Sequence, residues 1–293
     1  MRTQASTTDL PCRPFLHLRR HLALAAQLGL CLLFAQACNG SGPGPGCKVA
    51  PSGIADAPIT GKTLLDKTLV FTFDRSPTPV TLEIADLLTA RQINGAFFVV
   101  GKKLKDVAHQ GILAHLRSNG HLIGNGTYSF ANLEAVALPT AELRQVDQMI
   151  QPDVVGNMFF FRSATNSFNH KIADYLNKQG LQKYVGPIGS DIAFSGGVDP
   201  IDAGCWREVL TPADCAQRYI DAINLKKQGI IRFTDGYSQT PALLQALIPL
   251  VTSAGYKVVR LDEVPEIRTA FLEREAVPGT VGGSAGCKDY DRS

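Results

Sequence analysis

Apolar positions in this chain follow two rhythms in alternation. Leu69-Val70-Phe71-Thr72-Phe73 is a continuous apolar, aromatic and β-branched run, the character of a strand covered on both faces. It stops at Asp74-Arg75-Ser76, with Pro77 and Pro79 close behind. A helical stripe of Val80, Ile84, Leu87 and Leu88 follows, and Pro79 suits the first turn of that helix because its missing N–H would be unpaired there anyway. The alternation repeats. Strands are expected at 95–100, 121–124, 158–162, 183–188, 229–234 and 257–261. Helices are expected at 107–118, closed by Asn119-Gly120, and then from Thr140 with Leu143, Val146, Met149 and Ile150 on one face. Further helices are expected at 172–178, from Thr211-Pro212 to about 227, and from Thr240-Pro241 along Leu244, Leu247, Ile248 and Val251. The stretch 189–210 reads as a loop rich in Gly, Asp and Ser, and 47–67 as a loop-like lead-in.

Strand–helix alternation of this kind argues for a parallel sheet with helices outside and right-handed crossovers. Periodicity alone leaves a closed barrel and an open sheet equally open. In either case chemistry gathers at the carboxyl ends of the strands, which makes Asp74 the first candidate.

The N-terminus changes the picture. Arg13, Arg19 and Arg20 precede an apolar run from Leu22 to Ala37, the layout of a secretory leader and short for a membrane span. The run ends in Ala35-Gln36-Ala37-Cys38. Two outcomes stay open: simple cleavage after Ala37, or a lipoprotein with lipidated Cys38 as its first mature residue, although Ala35 stands where a leucine is expected. The expected organisation is a leader over 1–37, a flexible tether and lead-in over 38–67, one domain over 68–266 and a C-terminal tail over 267–293. The formal net charge of +3 resides wholly in residues 1–37, where Arg2, Arg13, Arg19 and Arg20 outweigh Asp9. Neither a basic run nor a basic balance points to nucleic acid. With 45% hydrophobic and 19% charged residues, the chain has material for a sizeable core. Of seven cysteines, Cys47, Cys205, Cys215 and Cys287 remain once the leader and a lipidated Cys38 are set aside. The favoured pairing is Cys205 with Cys215 and Cys47 with Cys287, the second clasping the two ends of the domain.

Five stretches, in order, resemble the polysaccharide deacetylase family with NodB homology: Thr72-Phe73-Asp74-Arg75-Ser76 at the family's TFDDG, Gly120 to Phe130 at GHEIGNHTYSH, Phe161 to Asn166 at FRPPYG, Gly186-Pro187-Ile188 with Asp191-Ile192 at a fourth motif, and Gly229 to Gly236 at GxIxLLHDG. The likeness runs from about 69 to 265. It implies an irregular (β/α)7 barrel and metal-dependent, usually zinc-dependent, de-N-acetylation of glycans. In that reaction the first Asp is the base, the second Asp and two His hold the metal, and a His of the last motif is the acid.

Carried over residue by residue, only the base position survives, as Asp74. The metal-ligand Asp is Arg75, the ligand His positions are Gly126 and Phe130, the acid His is Thr234, and the leucine of the acetyl pocket is Arg232. The tight turn of the third motif contains Thr165, while Arg162, Asp191 and Asp235 match the family. No protein ligand set is left for a metal, so no cofactor is expected. Asp74, Asp235, Arg75 and Arg232 are expected to form a metal-free ion-pair cluster, with Arg162 and Asp191 pairing to neighbours. His109, His115, His121 and His170 fall on elements that need not converge, and Trp206 beside Cys205 either packs over a disulfide or stacks on a sugar. The resulting expectation is an inactive, glycan-binding protein exported to a bacterial envelope or periplasm, with N-acetylated glycan or peptidoglycan as partner and the membrane reached only through a lipid. Two alternatives stand beside it: an active chitooligosaccharide or peptidoglycan deacetylase with displaced ligands, and a structural envelope lipoprotein.

Overall fold

The computed structural model describes residues 53–164, 167–192 and 201–275. The leader, Cys38, Cys47, Cys287 and Thr165 lie outside them. Strands β1 (Thr68–Ser76), β2 (Ala96–Val99), β3 (Leu122–Asn125), β4 (Gly229–Thr234) and β5 (Lys257–Val258) alternate with helices α1 (Thr81–Thr89), α2 (Val107–Ser118), α3 (Pro139–Ile150), α4 (His170–Lys178), α5 (Ile201–Arg207), α6 (Pro212–Lys226), α7 (Thr240–Ser253) and α8 (Pro265–Glu275). β1 is central, flanked by parallel β2 and β4, with β3 beyond β2. Single parallel bridges complete the ring: Asn125 to Phe161, Phe160 to Val185, and Ile192 back to Ile231 of β4. The sheet therefore closes as an irregular barrel in which two staves are reduced to bridges and β5 shares the start of β1.

Period-two alternation divides the barrel. Leu69, Phe71 and Phe73 face outward with Phe97, Ile231 and Phe233, and pack under the helices. Phe73 stacks between Phe97 and Phe233 at 4.7 and 5.3 Å. Val70, Ala96, Phe98, Leu122, Phe160 and Ile230 face inward. Leu261, Val264 and Ile267 join that inner cluster, and Phe271 meets Phe160 edge-on at 5.2 Å. The start of α8 thus closes the base of the barrel, beyond the boundary expected at 266. The lead-in is also ordered: Ile59 bridges Ile188, and Ile54 and Leu64 are buried.

Besides α8, a second helix goes beyond the expectations. Residues 201–207, read as loop, form α5, because Cys205 is bonded to Cys215 of α6 and the helix docks on the core. Trp206 packs against the same core, its ring 6.4 Å from Tyr237. The disulfide encloses a loop with sequence separation 10. Replacing both cysteines by alanine is expected to lower unfolding stability by about 2–4 kcal/mol, read from urea denaturation.

Candidate functional site

The inward positions at the carboxyl ends of β1 and β4 are polar. Val70, Thr72 and Asp74 point inward in turn, as do Ile230, Arg232 and Thr234. Asp74 is 4% exposed, and the guanidiniums of Arg162 and Arg232 are each 2% exposed. Arg162 Nη1 donates to Asp74 Oδ1 at 2.7 Å and to the Thr72 hydroxyl at 2.9 Å. Its Nε and Nη2 donate to the carbonyls of Ile188 and Gly189, both at 2.9 Å, and its plane covers the Phe98 ring at 4.2 Å. Arg232 Nε approaches Asp74 Oδ2 at 3.8 Å from the other side. The barrel interior therefore holds an Arg–Asp–Arg group with a net charge of +1.

The expected cluster is thus half right. Arg232 reaches Asp74, and Arg162 joins it. Arg75 does not: it is exposed, has φ +68°, and lies 4.7 Å over the Phe130 ring. Strand alternation is the cause, since the residue after an inward Asp74 leaves the barrel. Asp235 also stands apart. Its carboxylate accepts from the hydroxyls of Thr78 and Thr81 at 2.8 and 2.6 Å, and burial raises its pKa. Asp191 pairs with backbone instead: its Oδ2 accepts from the N–H of Gly61 and Ile230 at 2.6 and 2.8 Å, stitching the lead-in to β4.

At three positions the family would hold a divalent cation. Arg75 brings a like charge, Phe130 offers a ring already covered by that guanidinium, and Gly126 has no side chain. Nor is there room for one. A Cβ at Gly126 would meet the carbonyl oxygen of Val99 at 2.9 Å and the backbone of Phe98 at 3.0 Å. These residues do not fit a metal. Among the described residues no three His, Cys, Asp or Glu side chains converge on a common point. Of the histidines, His121 is a core residue: its Nδ1 accepts from the Gly95 N–H at 3.1 Å, and burial holds its pKa down at about 4. His115 pairs with Asp86 on the surface, and His109 contacts the Lys103 carbonyl.

Asp202, at the start of α5, escaped the sequence reading because its partner is remote in the chain. It is fully buried and accepts from the Thr234 and Ala203 N–H groups at 2.6 and 2.8 Å. It thereby engages the position where the family has its acid. Burial pushes its carboxyl up to about 7, against the pull of those N–H groups. The unfolded carboxyl releases its proton near the ordinary value of about 4. The folded chain therefore binds more protons between those values, and the stability this carboxyl contributes is lost as pH rises toward 7. Wild type should lose stability relative to Asp202→Asn by about 1.4 kcal/mol per pH unit from pH 4 to 7. Taking the difference between the two proteins cancels His121, whose lowered pKa acts in the opposite sense. A difference that stays flat across that range would refute this.

Residues 61–184 match the family model for polysaccharide deacetylase. Over that stretch, under half of its length, the chain is similar to the polysaccharide deacetylase family. It is 31% identical over 83 residues to a chitooligosaccharide deacetylase of Rhizobium leguminosarum bv. trifolii, covering 28% of this chain and 38% of that one. The chain thus spans well under half the length of that curated relative. The chitin deacetylase structure of the fungal pathogen Colletotrichum lindemuthianum superposes with a TM-score of 0.57 at 18% identity, covering 74% of this chain and 92% of that one. A CE4-family pseudoenzyme from Bacillus anthracis superposes with a TM-score of 0.54 at 16% identity, covering 69% and 66%. A mutant of that pseudoenzyme has restored enzymatic activity. These structural likenesses establish the NodB-type fold of this polysaccharide deacetylase relative.

Proposed function

We propose that this deacetylase relative is a pseudoenzyme, exported to the cell envelope, that binds glycan without hydrolysing it. The observation that carries the reading is the state of the three metal positions beside Asp74: Arg75 lies over the Phe130 ring at 4.7 Å, and a Cβ at Gly126 would meet the Val99 carbonyl oxygen at 2.9 Å. The acid position itself holds Thr234, whose hydroxyl does not titrate in the useful range, and the Asp202 carboxylate behind it is fully buried and engaged by backbone N–H groups. The described loops after β1, β2 and β3 are nevertheless built, and a pseudoenzyme on the same fold supports binding without turnover as a use of it.

The test combines metal analysis of purified protein equilibrated with zinc and acetate release from N-acetylglucosamine oligomers. Neither stoichiometric zinc nor acetate is expected. One equivalent of zinc together with acetate release would overturn the proposal in favour of a deacetylase with displaced ligands.

A further inference from the structure

Three successive strand–helix loops contribute to one rim at the barrel mouth. Arg75 follows Asp74 of β1 and stacks over Phe130 of the loop after β3. The turn after β2 carries Lys102, Lys103 and Lys105. Its Gly101 and Lys102 N–H groups donate to the carbonyls of Thr127 and Tyr128 at 3.2 and 2.9 Å, which locks it to the β3 loop. The Lys103 ammonium donates to the Arg75 carbonyl, and Lys105 Nζ lies 5.5 Å from the Tyr128 ring. The result is a continuous surface of four cations interleaved with two aromatic rings.

The nearby acids offset it only in part, with Asp235 acting on the half-buried Lys103. Glu142 is engaged by the N–H and hydroxyl of Ser129 at 2.8 and 2.9 Å, and Asp235 is buried behind the rim. Asp106 adjoins Lys105 and has a partner of its own. Arg75, Lys102 and Lys105 are exposed and make no ion pair among the described residues. The backbone here is also constrained. Arg75, Thr127 and Phe130 have φ of +68°, +69° and +59°. Non-glycine residues in that region are held there only by their surroundings, and they gather at ligand sites.

We propose that this rim binds a carboxylated, uronic-acid-type polysaccharide, with Arg75 and the Lys102–Lys105 turn taking the sugar carboxylates; this rests on the glycan-binding reading above. The guanidinium presents a planar fork that matches a planar carboxylate. Its stacking on Phe130 fixes that fork before the ligand arrives, which lowers the ordering cost of binding. A run of regularly spaced carboxylates along an extended chain suits cations drawn from neighbouring loops, whereas a neutral N-acetylated chain would leave the exposed Arg75, Lys102 and Lys105 uncompensated.

Calorimetric titration of the purified protein separates the cases, with hexagalacturonate, chitohexaose and a hexanucleotide as probes. Hexagalacturonate should bind, more weakly as salt rises. Chitohexaose and the hexanucleotide should each bind at least about tenfold less tightly. Arg75→Asn, a residue type that tolerates positive φ, combined with Lys105→Ser should weaken hexagalacturonate about tenfold with an unchanged circular dichroism spectrum. Chitohexaose binding as well as or better than hexagalacturonate would overturn this inference and leave glycan binding standing. Equal binding of the hexanucleotide would reduce the rim to unspecific charge and overturn it too. Binding of neither sugar would sink both readings.

Discussion

Replacing Arg162 with Met is expected to destabilise the protein by about 3–5 kcal/mol. Four hydrogen bonds of 2.7–2.9 Å end on this guanidinium, two of them to the carbonyls of Ile188 and Gly189 in the weakest stave of the barrel. The stack on Phe98 is retained in part by a Met side chain, so the loss reports the charge rather than the volume. What remains is Asp74 inside the barrel, with Arg232 as its one cation at 3.8 Å and the carbonyls of Ile188 and Gly189 no longer receiving Arg162. Urea denaturation gives the number. Arg75→Met is the control: its guanidinium is exposed and, among the described residues, pairs only with a ring, so it should cost less than about 1 kcal/mol. Equal effects for the two arginines would mean that the buried group is not what holds the staves together.

Rebuilding the family's metal site should fail. The variant Arg75→Asp, Gly126→His, Phe130→His and Thr234→His restores every donor by residue type. At Gly126, however, even a methyl group would contact the Val99 carbonyl oxygen at 2.9 Å and the Phe98 carbonyl at 3.0 Å. These atoms belong to β2, whose pairing with β1 and β3 leaves it little freedom to retreat. Overpacking by a few atoms costs about 1–3 kcal/mol, and an imidazole adds more than a few. The four-fold variant should show a lowered urea midpoint and no zinc uptake in equilibrium dialysis, while the variant restricted to Arg75→Asp and Phe130→His should lose much less of the wild-type midpoint. A folded four-fold variant holding one equivalent of zinc would show that β2 can move aside.

Much of this was open to a reader of the residues alone. The continuous apolar runs at 69–73 and 229–234 mark β1 and β4, because a parallel strand buried on both faces admits few polar residues. The Cys205–Cys215 pair was accessible because the two lie ten residues apart. Helix α5 was not accessible: its seven residues include a glycine, and it is held by a disulfide and by Tyr219, whose hydroxyl receives the Asp202 N–H. Helix α8 was read as tail, since its polar residues conceal the single buried stripe that fills the barrel base.

The residue types determined that no metal ligand stands at the family's positions, for Arg, Gly and Phe cannot supply a lone pair wherever they are placed. They also determined the alternation of strands and helices, whereas closure into a barrel rests on the bridges at Phe161, Val185 and Ile192. Which charges meet was decided only by the closed fold. Adjacent residues such as Asp74 and Arg75 face opposite ways on a strand, so the neighbour in sequence became the solvent-exposed stack on Phe130. Arg162 and Arg232, 88 and 158 positions away, became the partners in the interior, because ring closure brings every second residue of separate staves to one axis.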